Sequence, residues 1–211
     1  MGLLGKVHSY FYPHDFKDMS CDDRVGEIEE GAREILLALE EAGFEAYVVG
    51  GCVRDLAMQK KPHDWDITTS ARPEDTLHLA ASRGWKAIDG GGRRFGTVII
   101  VLDGSSYEVT TFRREVYGAD SHRPQQIVFA HTLKEDLFRR DFTVNAMAVD
   151  REGHLYDYFD GLGDMKQKKL RTVGVAQERF SEDALRLFRA CRFLGELDFM
   201  ADSSLVEGME S

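Results

Sequence analysis

Cysteine is scarce in this chain: three in 211 residues. Cys21, Cys52 and Cys191 are odd in number and widely spaced, which argues against a disulfide framework and a cysteine-based zinc site. Such sparse usage suits a reducing cytoplasm. Long apolar runs are missing too; none approaches the ~20 residues of a membrane span. The opening MGLLGKVHSYFYPHDF has neither the apolar stretch nor the small-residue cleavage site of a signal peptide. Positive charge is in deficit. The formal net charge is −10, whereas nucleic-acid-binding proteins are usually basic. The arginines are nevertheless clustered, in Arg113-Arg114, Arg139-Arg140 and Arg186/Arg189/Arg192. There is no internal repeat and no low-complexity segment. What remains is a chain 43 % hydrophobic, able to bury the core of one large domain or a domain with a small appendage.

Periodicity divides it. Residues 1–21 are aromatic and His-containing with no clear period, and read as an irregular extension. From Asp22 the residues Val25, Ile28, Ala32, Ile35, Leu36 and Leu39 form a helical stripe that Gly43 ends. A strand over 46–49 runs into Gly50-Gly51, followed by a short helix over 53–58. Pro62 breaks that helix, and 64–68 reads as a second strand. Pro73 opens a helix that runs to Gly84. Strands over 97–102 and 107–112 are joined at Asp103-Gly104-Ser105-Ser106, a hairpin signal. Residues 113–135 read as a long polar loop, 142–149 as a helix, and 154–159 and 170–173 as short strands. Ser181 is expected to cap a last helix, with Glu182 and Asp183 in its first turn and Ala184, Leu187, Phe188, Cys191 and Leu194 on its apolar side. The tail, 201–211, is polar.

Four constellations carry chemistry. In the first, two glycines after a strand let backbone N–H groups approach a phosphate, and Arg54 in Gly50-Gly51-Cys52-Val53-Arg54-Asp55 can pair with the same anion. Asp64 and Asp66 follow. Two carboxylates two apart on one strand share a face and repel each other unless a cation lies between them, the arrangement of a two-magnesium site for phosphoryl transfer. The second is Glu108, which shares a face with Thr110 and offers a third carboxylate from another strand. The third is Arg139-Arg140-Asp141 with Asn145, able to hold a ribose hydroxyl and a triphosphate, or else a charged helix cap. The fourth is Asp183 and Arg186, with Arg189 and Arg192 after them. An acid and an arginine held side by side can read a base edge; the plainer reading is a helix ion pair worth ~0.2–0.5 kcal/mol.

The segments VVGGCVRDLAMQKKPHDWDITTSA, YEVTTFRRE, EDLFRRDFTVNAMAVD, YDYFDGLGDMKQKKLRTVG and EDALRLFRACRF, in that order, resemble the class II tRNA nucleotidyltransferase and bacterial poly(A) polymerase family. The resemblance implies an α+β head, a small mixed β-sheet flanked by helices, over 22–165. The start of a helical neck follows over 166–211, shorter than the family's usual neck, body and tail. It implies Asp64, Asp66 and Glu108 as catalytic metal ligands for two Mg²⁺ ions. Gly50, Gly51 and Arg54 would meet the triphosphate; Arg139, Arg140, Asp141 and Asn145 the nucleotide and its ribose; Asp183 and Arg186 the base; and Arg189 and Arg192 the phosphates. Asp157 or Asp160, with Gly161 and Asp164, matches the flexible segment between head and neck. The implied activity is addition of CMP and AMP, from CTP and ATP, to the 3′ end of tRNA. The alternatives are polyadenylation of RNA and a non-catalytic RNA- or nucleotide-binding module. Gly92-Arg93-Arg94-Phe95 is closer to poly(A) polymerases, while Gly96-Thr97-Val98 resembles CCA-adding sequences. The 117–124 loop, which is not deleted, disfavours an enzyme restricted to adding CC.

Overall fold

The computed structural model describes residues 27–89, 95–116 and 126–210. The leader through Gly26, the Gly92-Arg93-Arg94 stretch and the 117–124 loop lie outside the described residues. In chain order the strands up to Asp157 are β1 (Ala46–Val49), β2 (Asp66–Thr69), β3 (Lys86–Asp89), β4 (Thr97–Leu102), β5 (Ser105–Thr111), β6 (Arg113–Val116), β7 (Gln126–Phe129), β8 (Met147–Val149) and β9 (Leu155–Asp157). Seven of them form one mixed sheet in the order β3-β4-β5-β2-β1-β8-β9. Within it β2 and β5 run parallel and every other pair is antiparallel. β6 and β7 make a separate hairpin.

Strand alternation sorts the side chains into two cores. Val48, Ile67, Val98, Ile100, Tyr107, Val109, Met147 and Val149 face helices α1 (Glu30–Glu41), α2 (Gly51–Ala57) and α3 (Pro73–Ser82). α1 presents Ala32, Ile35, Leu36 and Leu39, all fully buried; each large apolar chain so buried contributes about 1.5–3 kcal/mol. Gly43, at φ 87°, ends that helix. The other face buries Val49, Phe112, Ala146 and Ala148 against Leu133 and Leu137 of α4 (Leu133–Phe138). The β4–β5 connection is the expected tight turn, with Asp103 and Gly104 both at positive φ.

The described residues continue through α5 (Gly161–Lys166), β10 (Lys169–Leu170), α6 (Ala176–Glu182), α7 (Leu185–Leu197), β11 (Met200–Ala201) and α8 (Ser203–Glu210). A third core of Phe142, Val144, Leu170, Ala190, Phe193, Phe199 and Leu205 ties these elements to the segment after α4. Among the described residues no helix is long and apolar enough to cross a membrane.

Several expectations are corrected. β2 begins at Asp66; Asp64 sits in the bend before it and is exposed. The 113–135 stretch is not one loop but holds β6, β7 and the start of α4. Residues 142–149 form a 3-10 turn (Thr143–Asn145) and β8 rather than a helix. Every residue from 141 to 149 is buried, so apolar spacing there carries no face information. Ser181 does not open the last helix: α6 runs through Glu182, and α7 starts at Leu185. Phe188 is 71 % exposed, while Arg186, Ala190 and Phe193 form the buried side of α7. The polar tail is the helix α8, which buries Leu205.

Candidate active site

Asp66 opens β2 directly beside Glu108 of β5, its register partner. Ile67 and Val109 face the helical core, so Asp66 and Glu108 both face the opposite side. Burial pushes the Asp66 carboxyl above its usual range. Arg140 pulls it down, and the negative charges of Glu108 and Asp64 push it further up. The carboxylate oxygens of Asp64, Asp66 and Glu108 are more loosely grouped than the two carboxylate oxygens and the ring nitrogen offered by Asp150, Glu152 and His154, which lie within 4.8 Å of one another. That tighter set belongs to the β8–β9 turn, where Asp150 accepts the N–H of His154 at 2.8 Å and the hydroxyl of Tyr156 at 3.2 Å.

Gly50 adjoins Asp66. Its φ of 84° favours glycine, and a Cβ there would lie 3.0 Å from Arg140 Nη1 and 3.9 Å from Asp66 Oδ2. Arg140 follows α4 and is held through Asp136, whose Oδ2 accepts from it at 3.5 Å. Its Nε is buried without a hydrogen-bond partner, a donor left over for an anion. Hard-oxygen carboxylates on adjacent strands, next to a guanidinium with one N–H unsatisfied, fit a divalent cation and a phosphate group.

The remaining arginines divide between display and bracing. Arg54 on α2 donates to Asp55 at 2.7 and 3.0 Å and to Asn145 Oδ1 at 2.8 Å. Buried Asn145 therefore holds Arg54 in place. Asp141 accepts from Arg189 Nε at 2.6 Å and from the N–H of Phe142 at 2.9 Å. Arg192 lies on the exposed side of α7, 3.7 Å from Glu196. Arg139 is taken up by two other carboxylates, donating to Asp136 at 2.9 Å and Glu115 at 3.1 Å.

Asp183 and Arg186 are not side by side on one helix. Asp183 occupies the break between α6 and α7, where its Oδ1 accepts the N–H of Leu185. Arg186 turns inward, donating to Glu182 at 2.5 Å and to the carbonyls of Arg139 and Arg179 at 3.1 and 3.3 Å, with Glu115 at 3.8 Å. The 157–164 segment is densely tied. Asp157 accepts three backbone N–H groups, from Phe159, Gly161 and Leu162. Asp164 accepts from Thr143 and Arg171.

Sequence reasoning missed Asp136, fully buried, which also binds the Thr68 hydroxyl and the Arg113 N–H. The signal was present: an acid on a helical turn three and four residues before two arginines, which fall just past the helix end.

The sequence model of the poly(A) polymerase head domain matches residues 46–171. The chain belongs to this family. Among relatives of this head-domain family member, the CCA-adding enzyme of Lactobacillus delbrueckii subsp. bulgaricus is 52 % identical over 176 residues, covering 83 % of this chain and 43 % of the relative. That of Streptococcus pyogenes serotype M5 is 48 % identical over 180 residues, covering 85 % and 44 %. The Bacillus stearothermophilus CCA-adding enzyme in complex with CTP superposes with a TM-score of 0.75 at 42 % identity, over 84 % of this chain and 41 % of that one. A tRNA nucleotidyltransferase complexed with a primer tRNA and an incoming ATP analog gives 0.67 at 34 % identity, over 83 % and 48 %. The chain spans less than half the length of these relatives.

Proposed function

We propose that the chain is the catalytic portion of a template-independent RNA nucleotidyltransferase that adds CMP and AMP, from CTP and ATP, to the 3′ end of tRNA in the cytoplasm. The observation that carries this reading is the register of Asp66 against Glu108 on the sheet face shared with Gly50 and Arg140. Similarity to CCA-adding enzymes, one bound to CTP and a tRNA nucleotidyltransferase bound to primer tRNA, supports the choice of substrates. Residues 22–165 would be the head and 166–211 the opening of the neck.

Asp64, Asp66 and Glu108 would hold two magnesium ions, which when bound neutralise phosphoryl charge and activate a hydroxyl nucleophile. The chain's own residues supply positioning and a fixed electrostatic field. Gly50 and Gly51 keep the approach to Arg140 and Arg54 clear of side chains. Arg54, Arg140, Arg189 and Arg192 offer guanidinium groups to the phosphates. Asn145 fixes Arg54, and Asp141 fixes Arg189. Arg139 anchors Asp136, which in turn holds Arg140. Base selection by Asp183 and Arg186 requires Arg186 to exchange Glu182 for the base edge.

Labelled-nucleotide transfer to tRNA lacking its 3′ end tests the reading. Both CTP and ATP should be consumed, and Asp64→Ala or Asp66→Ala should abolish incorporation in a folded protein. Undiminished transfer by both variants removes the metal assignment. Consumption of ATP alone, in long tracts, redirects the reading to polyadenylation. Absence of Mg²⁺-dependent transfer by the wild type leaves the non-catalytic binding module. Asp183→Ala combined with Arg186→Ala should erode discrimination between CTP and UTP; full retention removes the base-reading assignment.

A further inference from the structure

Phe193 is a buried residue of α7, 5 % exposed. Three guanidinium carbons lie close to its ring: Arg54 at 5.4 Å, Arg189 at 5.4 Å and Arg192 at 4.9 Å from the centroid. Arg54 comes from α2, the others from α7. A ring attracts cations through its faces, within about 6 Å of the centroid. The Phe193 ring is itself fixed, because Phe142 meets it in a T-shaped contact at 5.6 Å and 82°. Phe142 follows Asp141, the carboxylate that holds Arg189. Each arginine has an acidic neighbour as well, Asp55, Asp141 and Glu196 respectively. Those acids lie on different elements and do not bring the three guanidinium groups together. The ring is the feature they share.

We infer that Phe193 is a positioning residue, whose π-faces hold Arg54, Arg189 and Arg192 as a preformed array for the triphosphate of the incoming nucleotide. The inference rests on the nucleotidyltransferase reading and adds a residue to it. Leucine fills most of the same volume but has no quadrupole. Fluorination of the ring keeps its shape and withdraws electron density from its faces. A residue that merely fills space is indifferent to the second change.

The test is equilibrium binding of CTP with Mg²⁺ to the full chain, carrying phenylalanine, leucine (Phe193→Leu) or a series of mono- to trifluorinated phenylalanines at position 193. Phe193→Leu should weaken CTP binding about tenfold. Affinity should fall stepwise along the fluorinated series while the melting temperature of that series stays level. A trifluorinated chain that binds CTP as tightly as the wild type overturns the inference, whatever Phe193→Leu does, and leaves the nucleotidyltransferase reading standing. A wild-type chain that fails to bind CTP overturns both.

Discussion

Replacing Asp66 by Asn is expected to stabilise the protein while removing its activity. Asp66 is half-buried, with Glu108 as its register neighbour and Asp64 two residues upstream. Like charges side by side on neighbouring strands cost roughly 0.2–1 kcal/mol, and partial burial of a charged carboxylate adds to the cost. Arg140 offsets part of this, but it keeps Asp136 when Asp66 is neutralised. Asn retains the shape and loses the charge. The net gain should be about 1 kcal/mol, a rise in melting temperature of about 2–4 °C for a chain of this size. Calorimetry in the presence of a chelator measures it. Magnesium should then narrow or invert the ranking. A ligand that binds only the folded state stabilises by mass action, so the wild type should gain and Asp66→Asn should gain little. Transfer activity should be lost in the variant under both conditions, the stability–activity opposition expected of a site built around repelling charges. An Asp66→Asn protein less stable than wild type without divalent ions would show that this carboxylate anchors the fold, and the reasoning from charge crowding would be wrong.

Two further outcomes follow from the surroundings of the site. Gly161→Ala would place a Cβ 2.3 Å from the carbonyl oxygen and 2.9 Å from the carbonyl carbon of Thr143. Backbone cannot yield cheaply, so a loss of about 1–3 kcal/mol is expected by thermal unfolding, along with weaker nucleotide binding as the Thr143–Asn145 turn that steadies Arg54 shifts; unchanged stability would show that the turn relaxes freely. Burial would push the Asp136 carboxyl up, but Arg139 and Arg140 outweigh it and hold it below the ordinary carboxylate range. A depressed folded-state pKa gives stability that is present above the unfolded value and lost as pH falls through the folded one. Acid unfolding should therefore be steeper in wild type than in Asp136→Asn, which at neutral pH should already be about 3 kcal/mol less stable for leaving Arg139 and Arg140 without their buried partner; parallel acid profiles would refute this.

Most elements legible in the sequence have one wet face. α3 and the β4–β5 hairpin alternate or repeat between core and water and lie close to where their patterns predict, and α1 keeps its apolar stripe but begins at Glu30 rather than near Asp22; β1, covered on both faces, was legible from its apolar run and the glycines that end it. Legibility failed where burial is complete or where a polar group goes inward. The 142–149 segment is covered on every side, so nothing in its spacing distinguished a turn and strand from a helix. α7 was read with Phe188 inside because Phe188 is apolar. In the structure Arg186 takes the interior, satisfied by Glu182, Glu115 and two carbonyls supplied from elsewhere in the chain. No local pattern encodes partners 47 residues apart, as Arg139 and Arg186 are. β3 was missed because its burial is slight, from Lys86 to Asp89.

The same contrast explains how the candidate site divides its labour. The acids come from two parallel strands and the bend before one of them, and strand register alone puts Asp66 beside Glu108. The cations come from α2, the segment after α4, and α7, which no shared strand aligns. Arg54 of α2 meets Arg189 and Arg192 of α7 at the third core, where Phe142 and Phe193 pack together. On the proposed reading, nucleotide affinity should depend on the apolar packing of the third core, while the carboxylate arrangement depends on backbone pairing within the sheet. A change in that packing can weaken triphosphate binding and leave the acids where they are, so affinity and chemistry are physically separable in this fold.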